Sequence, residues 1–305
     1  MIGPRTLHNA IVHYNDFENC KAFMMEMRWP EGSVTCPRCG SDHVVYLEKA
    51  RVWKCYGKHD HAKFSLKTGT VFEDSPLGLN KWLTAVWMIT GAKNGVSSYE
   101  IHRGLGVTQK TAWFMLQRIR LAMQQYSFSQ ASEQVEVDET FIGGKARNIH
   151  LWVREQKITG SGGKDKTMVV GILERSGKVR TKVIDSRKKA SLHRHVKAHV
   201  EPGAEIFTDA LKSYEGLNPE FVHQVVDHTV EYVKGQVHTN GLENFWSLLK
   251  RTLNGTYVSV EPFHLFRYLD EQAFRYNERK DEHCDCGRFR HVVKNIHGRR
   301  LTQTI

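Results

Sequence analysis

No run in the chain approaches the ~20 apolar residues needed to span a bilayer. The N-terminus lacks the basic, apolar and small-residue order of a secretion signal. Together these absences set aside a membrane-spanning helical protein and make a cytoplasmic setting the expectation. Cysteine is scarce: six in 305 residues cannot staple a scaffold of this size. Two of the six form a CxxC pair, which favours a reducing compartment and a bound metal. No thioredoxin-like βαβ pattern surrounds that pair, so a redox role is set aside as well. Acidic residues are outnumbered, 33 Asp and Glu against 44 Lys and Arg, for a formal net charge of +11. Such a surplus favours a polyanionic partner, with nucleic acid ahead of a membrane surface. The length suits two or three domains, one of them with a substantial core.

Phe17, Cys20, Phe23, Met24 and Met27 recur at helical spacing before Pro30, the pattern of a packed helix. Next comes Cys36-Pro37-Arg38-Cys39-Gly40, whose two thiolates can share one tetrahedral ion while the glycine eases the turn. Alternating VVYL and RVWKC strands follow and deliver Cys55. A Cys₃His zinc site results, with His59 favoured over His61 as fourth ligand. A ribbon this small has little core, so the ion would supply much of its folding energy. Residues 1–78 are therefore expected to form an N-terminal helix and a zinc ribbon.

Residues 79–126 read as helical, with Leu79, Trp82, Leu83, Val86, Trp87 and Ile89 on one apolar face. A break at Gly104-Leu105-Gly106, then a second helix from Gln109, has the form of a helix-turn-helix. That reading turns Thr108, Gln109, Lys110 and Arg118 toward DNA and Trp113, Leu116 and Ile119 inward. A plain helical hairpin fits the same pattern. After a polar linker, a large domain is expected over 133–280 and a basic tail over 281–305. The tail offers phosphate contacts or is a frayed end. Its CxC, near His283 and His291, is a poor chelate for tetrahedral zinc. The basic, Gly-rich stretch 145–166 reads as a loop that touches phosphates or is simply solvated.

Three acidic segments organise the large domain. VEVDETFIGGK is a half-buried strand that presents Asp138 near its end. IFTDALKSY repeats the design with Asp209, and HTNGLENFWSLLKR opens a helix carrying Glu243. Alone, each acid is more often structural: a turn cap, a helix cap, a surface residue. Together, three carboxylates from three elements can share two Mg²⁺ or Mn²⁺ ions, the arrangement that cuts phosphodiesters. Glu139 faces the opposite side of the strand from Asp138, whereas Glu136 shares its face and is given no role. The element order strand, strand, strand, helix, strand, helix, strand, helix points to an α/β, ribonuclease H-like domain with a mixed sheet.

With CPRCGS, FSLKTGTVFEDSPL, VEVDETFIGGK, HTNGLENFWSLLKR and RYLDEQAFRYNER in place, nearly the whole chain resembles bacterial insertion-sequence transposases with a zinc ribbon and a DDE domain. The resemblance implies that Asp138, Asp209 and Glu243 are the catalytic, metal-holding acids. It further implies that Lys250, two helical turns beyond Glu243, contacts DNA near the reacting phosphate, with His238 and Asn240 lining the site. Cys36, Cys39, Cys55 and His59 are the expected zinc ligands, although the family often has a second CxxC where this chain has GKHDH. Double-stranded DNA, both element ends and target, is the implied partner, bound by a homodimer or larger assembly. The implied activity is cleavage at the element's ends followed by strand transfer. A ribonuclease H-like nuclease without strand transfer is the nearest alternative. A catalytically silent DNA-binding protein of transposase shape is another, and a zinc-ribbon transcription factor leaves the large domain unexplained.

Overall fold

A computed structural model describes residues 4–125, 130–144, 150–152, 155, 166–175, 177–209, 212–217, 220–226, 238–280, 282 and 284–301. Nearly all of the 145–166 loop and His283 of the CxC reading lie outside these residues. The chain forms two compact units, Met1–Gln124 with Glu278–Ile305, and Gln125–Asn277.

The first unit begins with helices α1 (Leu7–Tyr14) and α2 (Phe17–Arg28). Asp16 caps α2 by accepting the Glu18 amide at 2.8 Å, and Cys20, Phe23, Met24 and Met27 are its buried face. Strands β1 (Val44–Leu47), β2 (Val52–Cys55) and β3 (Lys63–Phe64) form the antiparallel ribbon. Helix α3 (Leu79–Gly91) buries the six apolar residues expected of it. Helix α4 (Ser98–Leu105) starts at a Ser97–Glu100 capping box and stops at Gly106, whose φ of 58° suits a glycine. Thr108 then caps α5 (Gln109–Met123).

The expected basic tail differs in the structure. A helix spans Cys284–Lys294 and joins this unit, with Phe289, Val292, Val293 and Ile296 buried. Phe289 stacks on Phe23 at 5.2 Å and packs against Tyr14 and Trp87. Spacings of three, one and three within RFRHVVKNI mark a buried helical face, which outweighs the segment's charge. Beyond it, Arg299 donates to the Leu121 and Gln124 carbonyls at 2.6 and 2.8 Å, closing the C-terminal end of α5.

His297 gives this unit an acid sensitivity. Both its ring nitrogens are buried without hydrogen-bond partners among the described residues, and burial, then Arg28, lowers its pKa from 6.5 to about 4. Below pH 6.5 the unfolded chain binds a proton that the folded protein refuses until about pH 4, so stability falls through that window. The full loss is about 3 kcal/mol at about 1.4 kcal/mol per pH unit. Urea midpoints at pH 7.5 and pH 4.5 should therefore drop less for His297→Leu than for wild type. An equal drop in both would show that another group titrates.

The second unit is a five-stranded sheet of β4 (Gln134–Ile142), β5 (Thr167–Glu174), β6 (Val179–Ile184), β7 (Glu205–Asp209) and β8 (Val222–Val226). Their order is β6-β5-β4-β7-β8. The first three are antiparallel, and β7 and β8 run parallel to β4. This is a mixed α/β, ribonuclease H-like sheet. Helix α6 (Lys189–His199) covers one face, packing Leu192 and Val196 on Val135, Val137, Val170 and Ile172. Helices α7 (Asn240–Thr252) and α8 (Leu265–Asn277) cover the other, through Leu242, Phe245, Leu249 and Leu269 on Val169 and Leu173. A strand covered on both faces reads as a continuous apolar run, which is why β5 is MVVGIL. One element departs from the expected order. The described residues between β7 and β8 hold a 3₁₀ turn, Lys212–Tyr214, in place of an α-helix. Twelve residues between parallel strands leave little room for one.

Candidate active site and metal centres

Strand β4 sits at the centre of the sheet, and its alternation sorts its acids by face. Val135 and Val137 point into the core under α6, which sends Glu136 and Asp138 to the side that carries α7. On one flank Asp138 lies opposite Gly171 of β5. On the other, β4 and β7 pair as Gln134 with Glu205, Val135 with Ile206 and Glu136 with Phe207. That pairing stops two residues short of Asp138 and Asp209, and the Asp209 charge acts on Asp138 from the end of β7.

Helix α7 lies along this face, and two glycines let it approach. A β-carbon on Gly171 would sit 2.6 Å from the Trp246 ring, and one on Gly241 would sit 2.8 Å from Glu136 Oε2. At this range the Leu242 amide donates to Glu136 Oε2 at 3.0 Å, and the Trp246 indole N–H donates to Asp138 Oδ2 at 3.0 Å. Glu243 precedes Trp246 by one short helical step on the same side of α7. Its side chain is exposed, with Oε1 3.5 Å from the Thr239 hydroxyl. Lys250 is exposed two turns further along the helix.

Neighbouring acids are held by their own partners. Glu136 is 1% exposed; Arg175 Nε donates to it at 3.1 Å, and His238 Nδ1 lies 3.5 Å away. Arg175 also donates to the His238 carbonyl at 2.7 Å and covers the Phe207 ring at 3.8 Å. Glu139, on the opposite face as expected, accepts from Arg187 at 2.6 Å and from the Tyr214 hydroxyl at 2.6 Å. Among the described residues, no cationic side chain hydrogen-bonds to Asp138. Burial, then the charges of Glu139 and Asp209, push its carboxyl up to about 7, against the pull of the Glu139 amide and the Trp246 indole. Asp138, Asp209 and Glu243 do not close into a compact cluster. Among the described residues, the group of metal-ligating side chains with atoms mutually within 4.8 Å is in the ribbon. A divalent cation would offset both the burial and the neighbouring carboxylate charges that raise Asp138. The acids therefore fit a hard divalent ion.

In the ribbon, Cys36, Cys39, Cys55 and His59 bring their ligand atoms together. Cys36 Sγ lies 3.6 Å from His59 Nε2 and Cys39 Sγ 3.6 Å from Cys55 Sγ. Those separations match the ~3.7 Å edges of a tetrahedron with 2.3 Å metal–sulfur bonds. The Gly57 amide donates to Cys55 Sγ at 3.2 Å, and a β-carbon there would fall 2.9 Å from Cys39 Sγ. His61 is exposed and stands outside the group.

Residues 130–277 match the ISXO2-like transposase domain, and residues 15–57 match the transposase zinc-ribbon domain. An uncharacterised protein in transposable element ISH50 of Halobacterium salinarum is 28% identical over 242 residues, 76% of this chain and 81% of that protein. An uncharacterised transposase-like protein of Haemophilus influenzae is 31% identical over 101 residues, 33% of this chain and 81% of that protein. The chain belongs to the transposases.

The transposase-domain match takes in Asp138, Asp209, Glu243 and Lys250. The zinc-ribbon match takes in the three cysteines and ends two residues before His59. Together with the Cys₃His cluster it supports a structural zinc. Among the described residues, no helix is long and apolar enough to cross a membrane.

Sequence reasoning passed over several residues that shape the transposase site. Glu136 had no assigned role, and Arg175, Gly171 and Trp246 were not singled out. Trp246 was the most legible, three residues after Glu243 and so on its side of the helix. Gly171 was signalled only by a glycine interrupting an apolar strand. In the helix-turn-helix reading, Arg118 is corrected. Its guanidinium donates to the Glu73 carbonyl at 2.9 Å and is partly buried, which lowers its pKa. Gln109 donates to Ser98 at 2.8 Å, and Thr108 caps α5, while Lys110 is exposed.

Proposed function

We propose that this chain is a DDE transposase that cuts DNA at the ends of its element and joins those ends to target DNA. Supporting this reading, β7 pairs with β4 and ends at Asp209, whose charge acts on Asp138, while a helix that bonds to Asp138 carries Glu243. In this reading Asp138, Asp209 and Glu243 hold two Mg²⁺ or Mn²⁺ ions. Held by these three carboxylates, such ions would supply activation of an attacking hydroxyl and charge stabilisation for the leaving oxygen of a phosphodiester. Trp246 fixes the orientation of Asp138, and Lys250 contacts a DNA phosphate near the reacting one. Hydrolysis at the element end leaves a 3′-hydroxyl. That oxygen then forms a bond to a target phosphorus as the target's own P–O3′ bond breaks. Two ends must be joined together, so the active form is a homodimer or larger.

The zinc ligands in this proposal are Cys36, Cys39, Cys55 and His59, and the ribbon and helix pair recognise duplex ends. Purified protein is expected to carry one zinc per chain by elemental analysis. His59→Ala should lose it and melt the ribbon, and His61→Ala should keep it. Zinc loss in the His61 variant alone would reverse the assignment.

The test of function is strand transfer, with purified protein, Mg²⁺ and labelled duplex carrying the inverted repeats that flank the coding segment. Joined products establish the transposase. Cleavage without joining makes the chain a nuclease, and binding without either makes it a DNA-binding protein.

A further inference from the structure

Where β4 ends, beyond the acids, the transposase unit holds a cavity of about 340 Å³. That is near the lower end of the range for small-molecule sites, about 300–1,000 Å³. One wall is apolar, and polar and cationic side chains share the rest of the lining. Ile142, Leu253 and Val260 belong to the core cluster under α7, so this side of the cavity is part of the packed structure. Lys166, Lys250 and Asn254 also line it. Gly143 permits this arrangement, since a β-carbon there would lie 2.9 Å from Lys166 Cγ.

The far wall is unusual backbone. A π-helical turn, Leu253–Tyr257, follows α7, and Val258 then adopts φ 62° and ψ −55°. A β-branched residue rarely takes such angles, and strain of this kind gathers at functional sites. Val258 is 78% exposed, so core packing does not demand the strain. The turn is instead held from behind: the Tyr257 hydroxyl bonds to Glu271, which pairs with Arg275.

We infer that this cavity receives one unpaired nucleotide of the element's DNA end, its base against the apolar wall and its phosphate on Lys166 and Lys250. This rests on the transposase reading and specifies its substrate. An apolar wall suits a base, whose faces carry no charge, and lysines in the lining suit the phosphate attached to it. Position agrees by two routes. Asp138 to Ile142 along β4 is about 13 Å, and Glu243 to Lys250 along α7 is about 10 Å. At about 3.4 Å per nucleotide, the pocket accepts the base three or four positions from the scissile phosphate.

The experiment uses full-length protein with Ca²⁺ and 40-base-pair end duplexes from the flanking repeats. 2-Aminopurine is placed singly at each of the first six positions from the cleavage junction. Fluorescence should rise severalfold at one position, the third or fourth. Gly144 lines the cavity, and a β-carbon there meets nothing within 4 Å, so Gly144→Leu fills the space without crowding the fold. That variant should lose the rise and bind the end about tenfold more weakly. An abasic nucleotide at the same position should erase the tenfold gap between variant and wild type. End binding that persists with no rise at any position overturns the pocket alone, as does a gap that survives on abasic DNA. No preference for end duplex over scrambled duplex would overturn the transposase reading and the pocket with it.

Discussion

Asp209→Ala is expected to bind element ends as wild type does and to lose strand transfer by at least about a thousandfold. That corresponds to about 4 kcal/mol of transition-state stabilisation. The size follows from position. Asp209 ends the strand that pairs with β4 and its charge acts on Asp138, so a cation held by the two would lose one of its carboxylates. Losing a group that only supports a metal ligand typically costs about 10–100-fold, and loss of a ligand should exceed that. Fold stability supplies an internal control. The Asp209 charge is one cause of the raised Asp138 carboxyl, so removing it relieves repulsion. The variant should therefore melt at or above the wild-type temperature in metal-free buffer. Joined products at near wild-type yield would remove Asp209 from the chemistry. A lowered melting temperature would mean that its main role is structural.

How far the site was legible depends on which physical signal each residue leaves in the chain. Periodicity is written locally, so the apolar faces of α2 and α3, and the Gly106 stop between α4 and α5, could be read directly. The mixed sheet was legible for the same reason, since β4 and β5 differ in pattern from the helices around them. Of the three acids only Asp209 ends a strand as read; Asp138 lies midway along β4, which runs on to Ile142, and Glu243 lies on α7. What stayed hidden depends on register. Nothing within HTNGLENFW says that the Leu242 amide meets Glu136, more than a hundred residues earlier. Gly171 looks like a flaw in a strand until Trp246 is placed on it. The Cys284–Lys294 helix was misread from its charge, although Phe289, Val292, Val293 and Ile296 had the spacing of a buried face. Periodicity deserved more weight there than composition.

The largest expected effect on stability lies beside the proposed catalytic acids. Arg175→Met leaves the Glu136 carboxylate buried, with the Leu242 amide and the His238 ring as its nearest polar neighbours. Breaking a buried ion pair from one side typically costs about 3–5 kcal/mol, because the remaining charge is uncompensated. For a unit of this size, each kcal/mol lowers the melting temperature by about 2–4 °C, so a fall near 10 °C is expected. The consequence reaches the active site, because this pair is where three elements are tied. Glu136 belongs to β4, the Arg175 guanidinium lies over Phe207 of β7, and both residues bond to the chain at the start of α7. Glu136→Gln combined with Arg175→Met keeps an acceptor for the Leu242 amide and removes the stranded charge. The double variant should recover most of the loss, as uncharged replacements of buried pairs commonly do. Urea titration of wild type, both single variants and the double variant closes the cycle. A single-variant cost under about 1 kcal/mol would mean that water reaches Glu136 and that α7 is seated by its apolar face alone.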